Sequence, residues 1–413
     1  MFGFLVYINS LEGSTIMSKI FVTGYGSISA IGDNVEQTLD ALITKKSGVA
    51  PIQILDTAHK DEFVLAEVKY TNDELAQMLG INNKDKTYTR TSLLAMIGAK
   101  EAYSRARLDQ DTDLRTGVIS ANTGGGMDTT ERYYKTTMAE QIVDFAITHS
   151  CGDSTEKIAS FLGIKGFTST ISTACSSSAN AIMYGARLIK HGRLDRVIVG
   201  GVDSMSKFTL NGFNTLMILD RQHCQPWDEN RRGLNLGEGS GYIVIESEAA
   251  VKKSNKKVYA ELTGYANAND AYHQTASSPE GNGATLAMKQ ALKSAHLNPS
   301  DISYINVHGT GTSNNDQSEG TALRNIFDKV PPFSTTKAYT GHTLGAAGGI
   351  EAIFSILAIN HNLIFPCLNI ETPIQEFEFK PETELRKDVE IKHVLSNSFG
   401  FGGNNSTLIF SEH

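Results

Sequence analysis

The sequence predicts an α/β protein made of two similar halves, each a layered and mostly buried sheet flanked by helices. Three observations point there. Short runs rich in Val, Ile, Thr and aromatic residues alternate with stretches of helical periodicity along the whole chain. Glycine is abundant, 37 residues against 9 prolines, and it clusters where those runs end, as tight strand-to-helix junctions require. An internal echo relates Lys19-Ile-Phe-Val-Thr-Gly-Tyr to Val258-Tyr-Ala-Glu-Leu-Thr-Gly-Tyr. It divides the chain into 17–257 and 258–413, with no Pro- or Ser-rich linker between them.

Residues 1–16 lack the basic start of a signal peptide, and Met17-Ser-Lys-Ile reads like a natural beginning. They are expected to be a tail or a start-site extension. Strands are then expected at Ile20–Tyr25, Thr116–Ala121, Phe167–Thr173, Arg196–Gly201 and Tyr242–Glu246 in the first half. The second half adds Ile302–His308 and Val394–Ser398. Helices are expected at Val35–Thr44 behind Asn34 as N-cap, Leu93–Ala106, Ala179–Lys190 closed by Gly192, Gly283–Ala295 and Gly349–Ile359.

A chain of 413 residues buries roughly three quarters of its unfolded surface and needs no staple. Lys plus Arg is 37 and Asp plus Glu is 45, a net charge of −8, which argues against a general grip on nucleic acid. The four cysteines, Cys151, Cys175, Cys224 and Cys367, contain no C-x-x-C pair and suit neither a disulfide framework nor a zinc site. A reducing, cytoplasmic setting is expected. No apolar run approaches the roughly 18 residues that span a bilayer, so no membrane partner is expected.

Three small-residue junctions each carry one reactive side chain. In Ser172-Thr-Ala-Cys175-Ser-Ser-Ser-Ala, a strand ends and Cys175 opens a helix whose free N–H groups and positive dipole end favour a thiolate. In Ile305-Asn-Val-His308-Gly-Thr-Gly-Thr, an apolar strand delivers His308 at its carboxyl end. In Lys337-Ala-Tyr-Thr-Gly-His342-Thr-Leu-Gly-Ala-Ala-Gly-Gly, a second imidazole stands in a glycine-rich helix entry. A buried structural cysteine and two structural histidines would explain each segment alone; their coincidence favours chemistry. A fourth segment, Asn397-Ser-Phe399-Gly-Phe401-Gly-Gly-Asn404, reads as a glycine turn whose backbone approaches a ligand closely. It offers a second oxyanion N–H, with Phe401 as a gate.

In this order and spacing these segments resemble the β-ketoacyl-acyl-carrier-protein synthases, specifically the synthase II type with a Cys-His-His site. The similarity extends to KIFVTGYGSISAIG near the start and PWDENRRGLNLGEGSGYIVIE around Trp227. The resemblance implies a thiolase fold: two pseudo-duplicated halves with mixed five-stranded sheets in an α-β-α-β-α sandwich, generally a homodimer. It implies a decarboxylating Claisen condensation between an acyl thioester and malonyl-acyl carrier protein through an acyl-cysteine. Cys175 is then the nucleophile, with His308 and His342 as donors to the malonyl thioester oxygen. Lys337 fixes His342 with Glu351 as partner, and the N–H groups of Cys175 and Phe401 form the oxyanion hole. Asp316 and Glu319 stand behind His308, Phe399 supports the site, and Thr310 and Thr312 meet the pantetheine arm. No metal and no cofactor are implied, the substrates arriving on the phosphopantetheine of acyl carrier protein.

Three positions depart from the pattern the resemblance sets. Gly125 stands where a branched residue closes the acyl pocket and is expected to enlarge it, with Phe213 also bordering that pocket. The segment from Met127 to Ser150 reads as a shortened polar loop. Met217 replaces a carrier-binding arginine, so docking is expected to use Lys84, Lys86 and Arg90, or Lys207 and Arg221. Straight fatty-acid extension is the leading expectation; the departures are compatible with the alternative, a specialised aryl polyene or polyketide pathway, for which a heterodimeric partner is one arrangement. A cysteine thioester hydrolase is the rival from another class, and it requires an acidic orienter for one histidine.

Overall fold

The computed structural model describes residues 19–82, 87–110, 112–140 and 147–413, with the backbone alone for 135–140. The expectation for residues 1–16 and the docking candidates Lys84 and Lys86 lie outside the described residues. Twelve strands occur in the described residues: β1 (Ile20–Ser29), β2 (Ala50–Pro51), β3 (Val64–Leu65), β4 (Thr116–Ala121), β5 (Thr168–Ile171), β6 (Arg196–Asp203), β7 (Gly239–Ser247), β8 (Ala260–Asn269), β9 (Tyr304–Asn306), β10 (Phe333–Ser334), β11 (His393–Gly400) and β12 (Asn404–Ser411). β2 and β3 form a small pair of their own, and the other ten run β10-β9-β11-β12-β8-β1-β7-β6-β4-β5.

That order contains a repeat. In the first half β1 lies beside β7, then β6, β4 and β5; in the second β8 lies beside β12, then β11, β9 and β10. Both sets begin with two antiparallel pairings and end with two parallel ones. The two five-stranded units are not separate sheets. They join edge to edge where β1 meets β8, through only the pairs Phe21–Glu261 and Val22–Ala260.

Strand alternation then builds five layers. On β7, Ile243 and Ile245 face inward, against the Ser177–Lys190 and Ala347–His361 helices, while Tyr242 and Val244 face outward, onto the Arg90–Arg105 helix. On β12, Leu408 and Phe410 join the same inner core, and Ile409 packs outward against the Asn282–Ala295 helix. The central helix approaches β7 so closely that a Cβ on Gly241 would lie 2.4 Å from the Ile350 nitrogen, so glycine is required there.

Two expectations need correction. Leu344–His361 is an 18-residue helical stretch of mean hydropathy 1.3, long and apolar enough to cross a bilayer; 89% of it is buried here, as the central core helix. The stretch from Met127 is a helix to Glu140 rather than a loop.

Candidate active site

The nucleophile turn is built by strain and small hydroxyls. β5 ends at Ile171, and Ala174 turns the chain in the left-handed region at φ 53, a conformation that costs an alanine about 1 kcal/mol or more. The Ser177 hydroxyl holds the turn, donating to the Ala174 carbonyl at 2.5 Å and accepting the Thr173 N–H at 2.8 Å. Ser176 stands at the N-cap position, but its hydroxyl turns away to donate to Asn404 across the junction at 2.7 Å. Cys175 therefore sits two residues ahead of the helix, only 5% exposed. Gly400 makes room for it, since a Cβ there would lie 3.1 Å from the Cys175 nitrogen. The backbone N–H groups of Phe401 and of Cys175 itself lie close enough to the sulfur to favour its charged form.

His308 follows β9, and Glu319 fixes its backbone by accepting N–H bonds from His308 at 2.9 Å and Gly309 at 2.8 Å. Asp316, one helical turn earlier, accepts the N–H groups of Gly311 and Trp227. The imidazoles of His308 and His342 meet edge to face, ring centres 5.3 Å apart, and Phe399 lies 5.8 Å from His308. Lys337 Nζ donates to the His308 carbonyl at 2.7 Å and to Glu351 at 2.6 Å, and stands 3.4 Å from His308 Nδ1. His342 Nδ1 lies 3.3 Å from the Leu344 N–H. An ammonium and an amide N–H only donate, so both Nδ1 atoms accept and both protons sit on Nε2. Burial, then the Lys337 charge, pushes both imidazoles well below the ordinary histidine value, with His342 adding to the shift at His308. Two neutral rings thus present N–H donors side by side.

Cys175, His308 and His342 line one cleft of about 290 Å³, together with Phe213, Thr310, Thr312, Phe399 and Phe401. Phe213 and Phe401 stack at 5.9 Å. The Thr310 and Thr312 hydroxyls bond to each other at 2.9 Å along the wall. The cleft draws on both repeats, with the sulfur from the first and the imidazoles from the second.

Family models for the β-ketoacyl synthase N-terminal and C-terminal domains match residues 17–250 and 259–371. The chain belongs to the β-ketoacyl synthase family. It is 33% identical to 3-oxoacyl-[acyl-carrier-protein] synthase 2 of Staphylococcus aureus strain COL, over 95% of this chain and 98% of the relative. The corresponding protein of Coxiella burnetii is 34% identical over the same shares. Among solved structures, the ishigamide ketosynthase/chain length factor superposes with a TM-score of 0.89 at 28% identity, covering 96% of this chain and all of that one. The ketosynthase solved with its chain length factor from Xenorhabdus doucetiae gives 0.82 at 29% identity, covering 96% and 98%. The thiolase fold and membership among the condensing acyltransferases follow for this synthase.

Several expectations about the synthase change with the structure. Cys175 is not a resting thiolate: burial pushes its thiol up to about 11 against the pull of Lys337 and the Phe401 N–H. Alkylation of Cys175 is accordingly expected to accelerate about tenfold per pH unit from pH 7 to 9. A plateau already reached at pH 7, followed by mass spectrometry, would contradict this. Lys337 grips His308 and not His342, because its ammonium reaches the His308 carbonyl. Gly125 does not line the cleft, and the space its side chain leaves is already filled, since a Cβ there would meet the His149 carbonyl at 2.2 Å. With φ at +53 as well, Gly125→Ala is expected to lower stability by about 2 kcal/mol in denaturant unfolding. Arg90 is no docking group: it is 5% exposed and ion-paired with Glu238 at 2.5 Å. Lys207 and Arg221 stay on the surface, near Asp56 and Glu62.

One functional residue escaped the sequence reading. Asp203, at the end of β6, is fully buried and accepts N–H bonds from Thr123, Gly124 and, at 2.7 Å, Gly345, three residues past His342. It ties the histidine turn to the first half. The signal for it was a carboxylate closing the apolar run Val197–Val202.

Proposed function

We propose that this synthase is a 3-oxoacyl-[acyl-carrier-protein] synthase that lengthens acyl chains by two carbons for fatty acid biosynthesis. The observation that carries the reading is one cleft holding a sulfur nucleophile and two neutral imidazoles whose Nε2–H groups have no hydrogen-bond partner among the described residues. In the first step Cys175 attacks an acyl thioester, and the thiol proton leaves with the departing pantetheine sulfur. The N–H groups of Cys175 and Phe401 stabilise the tetrahedral oxyanion. Malonyl thioester then loses carbon dioxide, which places negative charge on its carbonyl oxygen, and His308 and His342 donate to that oxygen. The resulting carbanion attacks the acyl-cysteine, and sulfur departs as the β-ketoacyl product forms. Thr310 and Thr312 hold the arm, Phe213 and Phe401 gate it, and Glu319, Asp316 and Lys337 hold the His308 loop.

A hydrolase needs an imidazole oriented by a carboxylate. Among the described residues neither ring nitrogen bonds to one, which favours condensation. Lys337 also predicts a measurable dependence. Lys337→Met leaves Glu351 buried without its cation and is expected to cost about 3–5 kcal/mol in unfolding. Adding Glu351→Leu recovers much of that stability but not decarboxylation, because His308 stays unanchored; full recovery of both would contradict the role.

Incubation with a panel of acyl-acyl carrier proteins, followed by mass spectrometry of Cys175, tests the function. Acyl adducts at Cys175 and a two-carbon-longer product on adding malonyl-acyl carrier protein are expected; hydrolysis without condensation would overturn the reading. A dimer is part of the proposal: among the described residues β5 pairs with β4 on one side only and offers its other edge to a second subunit. That subunit is an identical copy or, as in the ketosynthases named with a chain length factor, a related partner. A cytoplasmic setting fits the four free cysteines.

A further inference from the structure

Resting on that reading and going beyond it, we infer that Arg232 holds the phosphate of the substrate's pantetheine arm. Among the described residues the lining of the cleft contains no carboxylate, and with both imidazoles neutral Arg232 is its one ionised side chain. The remaining polar groups of the wall are hydroxyls and amides, matched to the amides of the arm but not to its phosphodiester anion.

The guanidinium is built to point. Asp220, whose side chain is 3% exposed, accepts from Arg232 Nε at 3.2 Å, and Gln222 accepts from one terminal nitrogen at 3.1 Å. The Arg232 side chain itself remains 51% exposed. Its neighbour Arg231 is the contrast: only 7% exposed, its terminal nitrogens donate to the Asp228 and Ser313 carbonyls, and its Nε lies 3.8 Å from Asp316. The segment also lies against the arm-binding wall, since a Cβ on Gly311, between Thr310 and Thr312, would be 2.8 Å from the Gly233 carbonyl. A planar guanidinium suits a phosphate, and in a chain of net charge −8 a local cation is what an anionic arm needs at the entrance.

The test compares kcat/KM for the same acyl group on phosphopantetheine and on pantetheine, which differ only by the phosphate. In Arg232→Gln the ratio of the two is expected to fall about tenfold, through KM and not kcat, while Arg232→Lys keeps most of it. An unchanged ratio, or equal losses with both thioesters, would overturn the inference. So would a loss confined to carrier-bound substrate, which would place the arginine against the carrier protein. Should the glutamine variant not fold, the wild-type ratio decides, because equal kcat/KM for the two thioesters leaves the phosphate no contact. Wild-type enzyme that accepts no acyl thioester would instead refute the proposed function.

Discussion

Cys175→Ala is expected to abolish condensation, lowering kcat/KM with acyl and malonyl thioesters by about 10⁴-fold or more, while leaving the fold intact. The sulfur is buried and makes no hydrogen bond that holds the turn; the Ser176 and Ser177 hydroxyls do that. Alanine fits the same backbone. Cys175→Gln separates the two halves of the reaction. Its carboxamide places a carbonyl where the acyl-cysteine carbonyl forms, against the N–H groups of Cys175 and Phe401. Malonyl decarboxylation, followed as released carbon dioxide, is expected to persist or rise. Its loss would show that the sulfur takes part in decarboxylation, contrary to the division of labour proposed.

The second large effect concerns the imidazole pair. His308→Ala and His342→Ala are each expected to lower malonyl decarboxylation by about 10²–10³-fold while Cys175 still becomes acylated. Each ring supplies one preorganised N–H to the same developing charge, in a site dry enough for that donor to count. Their losses should not add in the double variant, since the two donors serve one oxygen. Decarboxylation at the native rate in either single variant would remove the paired-donor account. The pair is also protected against acid, because burial and the Lys337 charge both hold the rings neutral.

What the sequence revealed, and what it hid, follows from how far apart the partners are. Cys175, His308 and His342 were legible because each stands beside its own small-residue junction. The helix Val35–Ile43 was legible for a local reason too, since the Asn34 side chain accepts the Gln37 N–H. Asp203 was not legible: its decisive partner, Gly345, arrives from 142 positions away. Arg90 reads as a surface charge until Glu238, 148 positions on, turns it into a buried ion pair. Gly125 misled for the same reason, its missing side chain being replaced by backbone from 149–151. The Ser313–Arg324 helix was hidden by its polar first turns, whose Asp316 and Glu319 face inward to hold a loop.

The seam between the repeats is thin in its ladder and thick in its side chains. Only two residue pairs join β1 to β8, yet a single inner core takes Ala179, Ile182 and Met183 from one repeat and Ile350, Ile353 and Phe354 from the other. The inner core belongs to neither repeat alone, so a break in the chain near Asn255 is expected to leave fragments that each expose an apolar helix face when apart. The reactive groups straddle the same seam, the sulfur on one side and the imidazoles on the other, so the chemistry depends on the two repeats staying locked together.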